Sequence, residues 1–134
     1  MPDHLLDTGI LIRYLRNRPG YAALLARLAG EGELWIASFT RLEVVRGMRE
    51  PERGPTLALL NALRTYALDA ETADQAGELI REWQGRGVTL SGPDAVIGAS
   101  ALRCGAALVT TNARHFPMPD LDVLAADEEG RTSL

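Results

Sequence analysis

Three acidic residues of this chain stand where chemistry is possible. Asp7 closes the apolar run His4-Leu5-Leu6, Glu43 follows the run Leu34-Trp35-Ile36-Ala37-Ser38, and Asp94 follows Val88-Thr89-Leu90. Asn112 stands at the end of a fourth run, Ala107-Leu108-Val109-Thr110-Thr111. Carboxylates brought within about 4 Å of one another repel by roughly 4 kcal/mol per pair at an effective dielectric near 20. A cluster of them therefore calls for a divalent cation or a shared proton. Hard oxygen donors without paired cysteines favour Mg²⁺ or Mn²⁺. An ion held this way activates water and stabilises the charge that develops on a phosphodiester, with no covalent step by the protein.

These residues are scattered along the chain, so the elements around them must do the gathering. The runs before Asp7 and Thr40 read as strands that give way to helices, Val88-Thr89-Leu90 leads into a helix, and Ala107 to Thr111 reads as a buried strand that ends at Asn112. Gly9 to Arg16 is the helix after Asp7; Tyr21 to Ala29 is a second helix closed by Gly30; Thr40 to Met48 follows the second strand. Leu57, Leu60 and Leu63 lie at helical spacing, and Tyr66-Ala67-Leu68 is a short strand candidate. Ala73, Ala76, Ile80 and Trp83 mark a core-facing helix stripe that ends near Gly85-Arg86-Gly87. Ser91 and Pro93 announce a helix running to about Arg103, and Val123-Leu124 is a last edge strand. Strands alternating with helices predict an α/β fold with a mainly parallel central sheet and helices on both faces. In such sheets ligands bind beyond the carboxyl ends of the strands, where Asp7, Glu43, Asp94 and Asn112 all fall.

Each acid also has a structural reading. Asp7 can cap the helix behind it, Thr40-x-x-Glu43 has the form of a capping box, and Ser91-x-x-Asp94 resembles one. The two readings are compatible, because a carboxylate at a helix N-terminus can still ligate a metal. What favours chemistry is the convergence of independent sites on one edge of the sheet.

Composition sets the frame. The chain has 134 residues, 46% of them hydrophobic, which suits one domain over residues 1–126 followed by a frayed acidic tail over 127–134. No run is long and apolar enough for a membrane span, and Met1-Pro2-Asp3-His4 lacks the start of a signal peptide, so the expected compartment is the cytoplasm. The single Cys104 excludes an internal disulfide and a cysteine zinc site, and it reads as a small hydrophobe at a helix end. A net charge of −4 argues against binding nucleic acid through a broadly basic surface, but not against handling RNA locally. All 14 basic residues are Arg. The absence of Lys removes P-loop and Schiff-base chemistry, and with Gly9 two residues after Asp7 it also removes an aspartate-nucleophile phosphatase. Arg13 and Arg16 after Asp7, and Arg46, Arg49 and Arg53 after Glu43, are candidates to direct phosphate toward the crevice. Trp35 and Trp83 lie in apolar patterns and read as core.

Four segments in order resemble the PIN-domain ribonucleases, in particular the VapC-type toxins of toxin–antitoxin pairs. They are Leu5-Leu6-Asp7-Thr8; Ala37-Ser38-Phe39-Thr40-Arg41-Leu42-Glu43 with Arg46-Gly47; Pro93-Asp94-Ala95-Val96-Ile97-Gly98-Ala99-Ser100-Ala101; and Leu108-Val109-Thr110-Thr111-Asn112-Ala113-Arg114-His115-Phe116. The resemblance implies a PIN-like three-layer α/β/α sandwich and Mg²⁺- or Mn²⁺-dependent endoribonuclease activity. It implies metal ligation by Asp7, Glu43 and Asp94, with Asn112 orienting water, metal or substrate. It further implies that Thr8 bonds near the metal and that Thr110 and Thr111 line the same pocket. The natural state would be a homodimer bound to a small VapB-type antitoxin, with RNA as substrate. One position departs from the pattern: many relatives carry an acid just before the Phe of the last segment, where this chain has His115. A His there can meet metal or phosphate or simply pack, and it leaves open a degenerate module that binds RNA or a partner without cutting.

Overall fold

The computed structural model describes residues 2–134; Met1, at which the expected domain begins, lies outside them. Along the chain run β1 (His4–Leu6), α1 (Thr8–Leu15), α2 (Tyr21–Glu31), β2 (Leu34–Ala37), α3 (Ser38–Gly47), α4 (Arg53–Ala62), β3 (Arg64–Tyr66), α5 (Ala70–Gln84), α6 (Gly92–Cys104), β4 (Ala107–Thr110), β5 (Val123–Ala126) and β6 (Thr132–Ser133). Short 3₁₀ turns at Glu50–Glu52 and Ala113–His115 complete the path.

The sheet has the order β3-β2-β1-β4-β5-β6, parallel throughout except for the last pair. Neighbouring residues of a strand point to opposite faces. Leu5 and Leu108 accordingly join one core with α5 and α6, through Ala76, Trp83, Ala95 and Ile97. Leu6 and Val109 join a second core with α1, α2 and α4, through Ile10, Leu11, Tyr21, Leu24 and Leu60. Apolar side chains on both faces are what a parallel sheet covered by helices requires, and the result is a three-layer α/β/α sandwich. The order reverses at β1. The chain passes from β1 outward to β2 and β3, then returns to place β4 on the other side, so a crevice opens beyond the paired carboxyl ends of β1 and β4, where their connections leave in opposite directions.

Several local expectations are corrected. Gly30 does not close α2, which continues to Glu31 with Gly32 as its cap. A Cβ at Gly32 would lie 2.1 Å from the Pro2 carbonyl oxygen, so the close approach of β1's leading segment selects glycine there rather than at 30. The third strand begins at Arg64, before Tyr66. Val123-Leu124 is not an edge, because the tail folds back as β6 and pairs antiparallel with β5. The tail is not frayed: Asp127 accepts backbone N–H bonds from Glu129 and Arg131, and the buried Tyr21 hydroxyl donates to the Asp127 carbonyl at 2.7 Å. An acidic stretch is ordered here because its turn satisfies its own backbone groups and Tyr21 anchors it to α2. Among the described residues no helix is long and apolar enough to cross a membrane.

Candidate active site

β1 is only three residues long and wholly buried, and it delivers Asp7 to the crevice at its carboxyl end. Asp7 is the N-cap of α1, with Oδ1 accepting from the Thr8 backbone N–H at 2.8 Å. Its other oxygen accepts from the Thr110 hydroxyl at 2.6 Å, and Thr110 Oγ1 in turn accepts from the Asn112 backbone N–H at 3.0 Å. The end of β4 thus fixes the end of β1. Asp7 is 8% exposed. Burial pushes its carboxyl above the ordinary value, and the nearby charges of Asp94 and Glu43 push the same way, against the two hydrogen bonds that favour the ionised form.

Glu43 arrives from α3. It is not part of a capping box, because α3 begins at Ser38 with Ala37 as its cap, and Thr40 is fully buried inside the first turn. Thr40 and Glu43, three residues apart, share a helix face toward α1. There the Thr8 hydroxyl donates to Glu43 Oε1 at 2.6 Å, with Thr40 Oγ1 3.1 Å from Thr8 Oγ1. Thr40 is a residue that sequence reasoning assigned to the wrong task; the signal available was a polar side chain one turn before Glu43 in an apolar segment.

Asp94 stands in the first turn of α6, whose cap Ser91 accepts from the Asp94 N–H at 3.2 Å. The side chain leans toward His115, whose Nδ1 lies 3.5 Å from Asp94 Oδ2. His115 therefore borders the cluster. Asn112 stands one residue beyond β4, after Thr111, and adopts the cap position of the 3₁₀ turn.

The expected pocket residues divide on inspection. Asp7, Thr8, Glu43 and Asn112 come together around the β1 and β4 ends, with Asp94 and His115 beside them. Thr110 does not face substrate: it is 0% exposed and serves to orient Asp7. Arg13 lies over Gly9 near the Thr111 hydroxyl and meets Glu128 of the tail at 3.5 Å, while Arg16 turns the other way, toward α3 and α4. Arg46 is exposed one turn beyond Glu43. Arg49 and Arg53 are tied to Glu52 and Glu50. Trp83 is core as expected, whereas Trp35 is half-buried beneath the Arg64 guanidinium. Cys104 ends α6 half-buried, and burial raises its thiol pKa, which keeps it unreactive.

Among the described residues no three His, Cys, Asp or Glu side chains close into a ready metal shell. The donor chemistry nonetheless fits a small hard cation. Mg²⁺ is commonly held by one or two carboxylates and completes its octahedron with water. Asp7, opposed in its ionised form by burial and by two neighbouring acids, is the anchor such an ion would relieve.

Comparison with known proteins finds relatives of the same fold. A family model described as the PIN domain matches residues 4–120. The chain is 38% identical over 119 residues to ribonuclease VapC19 of Mycobacterium tuberculosis, covering 87% of this chain and 95% of the relative. Among solved structures it is similar to the DNA-bound VapBC of Salmonella typhimurium, at TM-score 0.74 and 26% identity over 92% of this chain and 97% of that one. It is likewise similar to a toxin–antitoxin complex from Klebsiella pneumoniae, at TM-score 0.75 and 26% identity over 88% and 94% of the two chains.

Proposed function

This chain belongs to the PIN-domain family, and on that footing we propose that it is a divalent-metal-dependent endoribonuclease, the toxin of a VapBC-type toxin–antitoxin pair. The observation that carries the metal-dependent reading is Asp7, a carboxylate buried at the switch point of a parallel sheet with two further acids raising its pKa. A purely structural cap has no use for that repulsion.

Asp7 and Asp94 would hold Mg²⁺ or Mn²⁺, with Glu43 completing the acidic wall. The ion, when bound, polarises water and neutralises charge on the phosphodiester. The chain's own residues prepare the site. Thr110 and the Thr8 N–H hold both oxygens of Asp7 in place. The Thr8 hydroxyl fixes Glu43 and leaves its second oxygen free to orient the attacking water. Asn112 and His115 border the opening, and Arg13 and Arg46 supply positive charge for the RNA backbone on either side of it. The relation to VapC19 supports RNA as substrate, and the Klebsiella complex supports a small antitoxin as partner. A homodimer and a cytoplasmic location complete the proposal.

Purified full-length protein, freed of any partner, should cut structured RNA in Mg²⁺ or Mn²⁺ and stop on addition of EDTA. Asp94→Asn should lower the rate at least about a hundredfold with an unchanged circular-dichroism spectrum. No cleavage across a broad RNA panel would return the chain to the reading of a module that binds without cutting.

A further inference from the structure

The three acids of the crevice are not equally supported. Thr110 and the Thr8 N–H engage both oxygens of Asp7, and the Thr8 hydroxyl engages one oxygen of Glu43. The Asp94 carboxylate accepts no hydrogen bond from a described residue; what meets it is the His115 ring, with Nδ1 3.5 Å from Oδ2. The turn that carries this ring is fixed independently of the contact. The His115 N–H donates to the Asn112 carbonyl at 2.9 Å, the Phe116 N–H donates to the Ala113 carbonyl at 3.0 Å, and Phe116 is buried in the core. A pinned 3₁₀ turn thus holds an imidazole against a carboxylate, and neither group has another side-chain partner among the described residues.

That separation exceeds the about 2.7–3.2 Å of an N–H···O hydrogen bond, so a shared proton makes a weak link between the two groups. Adjacent ligands about 2.0–2.2 Å from one ion lie roughly 3.0–3.4 Å apart, between octahedral and tetrahedral angles, which is close to the spacing seen. We propose that His115 is a metal ligand beside Asp94, and that its nitrogen makes the site select Mn²⁺ over Mg²⁺, an inference that rests on the metal-dependent reading above. Mg²⁺ is bound through oxygen and gives up its water reluctantly, whereas imidazole nitrogen suits the first-row transition ions. Among those ions Mn²⁺ also suits carboxylate and water, which supply the rest of the shell. The side chains of Asp94 and His115 are 25% and 47% exposed, which leaves that water access. The pair belongs to the crevice, since the charge of Asp94 acts on Asp7.

The test uses the full-length protein without a histidine tag, freed of any partner and stripped of metal with EDTA. Mn²⁺ binding is read from the loss of its free-ion electron paramagnetic resonance signal, with Mg²⁺ titrated in as competitor. Wild type should bind Mn²⁺ about tenfold tighter than Mg²⁺ or better, and the bound ion should show spin-echo modulation from a directly coordinated ¹⁴N. His4, the one other histidine, is 5% exposed at the amino end of β1, so the modulation reports His115. His115→Asp should abolish the modulation, keep Mg²⁺ binding and lower the ratio of Mn²⁺ to Mg²⁺ affinity on the order of tenfold. Bound Mn²⁺ without nitrogen modulation in wild type, or a ratio that His115→Asp leaves unchanged, overturns the ligand assignment while leaving the metal-dependent ribonuclease intact. Equal loss of both metals in His115→Ala, again without modulation in wild type, makes His115 a positioning residue for Asp94 and overturns the metal selectivity. A wild type that binds neither ion overturns the metal-dependent reading and this inference together.

Discussion

Burying Asp7 at the end of β1 sets the fold against the chemistry at one residue. Burial, Asp94 and Glu43 all raise its pKa above the ordinary carboxylate value of about 3.9. The folded chain then binds a proton more tightly than the unfolded chain does. Stability is greatest below the ordinary value, falls as pH climbs from there through the raised one, and stays low above it. Asp7→Asn removes the ionisation and can still accept from the Thr8 N–H while pairing with the Thr110 hydroxyl. In EDTA at pH 7.5 the variant should therefore melt higher than wild type, on the order of 3 °C, and the gap should close toward pH 4. The same variant should lose cleavage. A variant that instead melts lower at neutral pH would mean that the carboxylate serves mainly as a cap. Asp7 was legible in the sequence because an apolar run led straight to it; Thr110 was misjudged because nothing in Val109-Thr110-Thr111 tells which hydroxyl faces inward.

Elements were easiest to read where period and capping agreed. The helix starts at Asp7 and Ser91 carry both signals, and the structure places caps at each, although the run before Ser91 is a loop rather than a strand. Thr40-x-x-Glu43 failed because α3 starts two residues earlier, at a junction with no polar cap, so the motif was matched inside the helix. The tail failed because its order depends on a contact more than a hundred residues away, between Tyr21 and Asp127. Glycines show the same limit. Gly30 lies inside α2 with nothing near its missing Cβ, whereas Gly20 has φ +86° and a Cβ there would meet the Glu129 carbonyl oxygen at 1.7 Å. Gly30→Ala should thus stabilise the protein by roughly 0.5–1 kcal/mol in urea melts, through helix propensity. Gly20→Ala should cost about 1–3 kcal/mol and speed amide exchange in β6, because left-handed strain and the backbone clash both push the hairpin off α2. Equal effects at the two positions would contradict the docking of the tail described above.

On the scale of the whole molecule, the difficulty is that a chain of net charge −4 must hold a polyanion. General attraction is not available, so on the proposed reading RNA would be held by a few arginines at the crevice while a bound metal would mask the acids there. Many of the others are spent within the fold. Arg41 is bonded to Leu60, Asn61 and Thr65, Arg64 to Glu33, and Arg103 to Glu71. Arg13 and Arg46 are the pair assigned to the backbone, and Arg13 is partly occupied by Glu128 of the C-terminal hairpin. Each phosphate neutralised on a single strand contributes a slope of about −0.7 to log K against log salt. Two contacts give a slope near −1.4, far shallower than a basic RNA-binding surface would show. Fluorescence anisotropy with the Asp94→Asn protein and a labelled single strand, titrated across salt at fixed Mg²⁺, measures it. Arg13→Gln should lower the slope by about 0.7 and weaken binding to all sequences alike, as loss of a phosphate contact must. Glu128→Gln should act in the opposite direction, tightening binding a fewfold at low salt with kcat unchanged, since the hairpin no longer competes for the guanidinium. A slope that ignores Arg13→Gln would remove Arg13 from the RNA path and leave its contact with Glu128 as a tie between α1 and the tail.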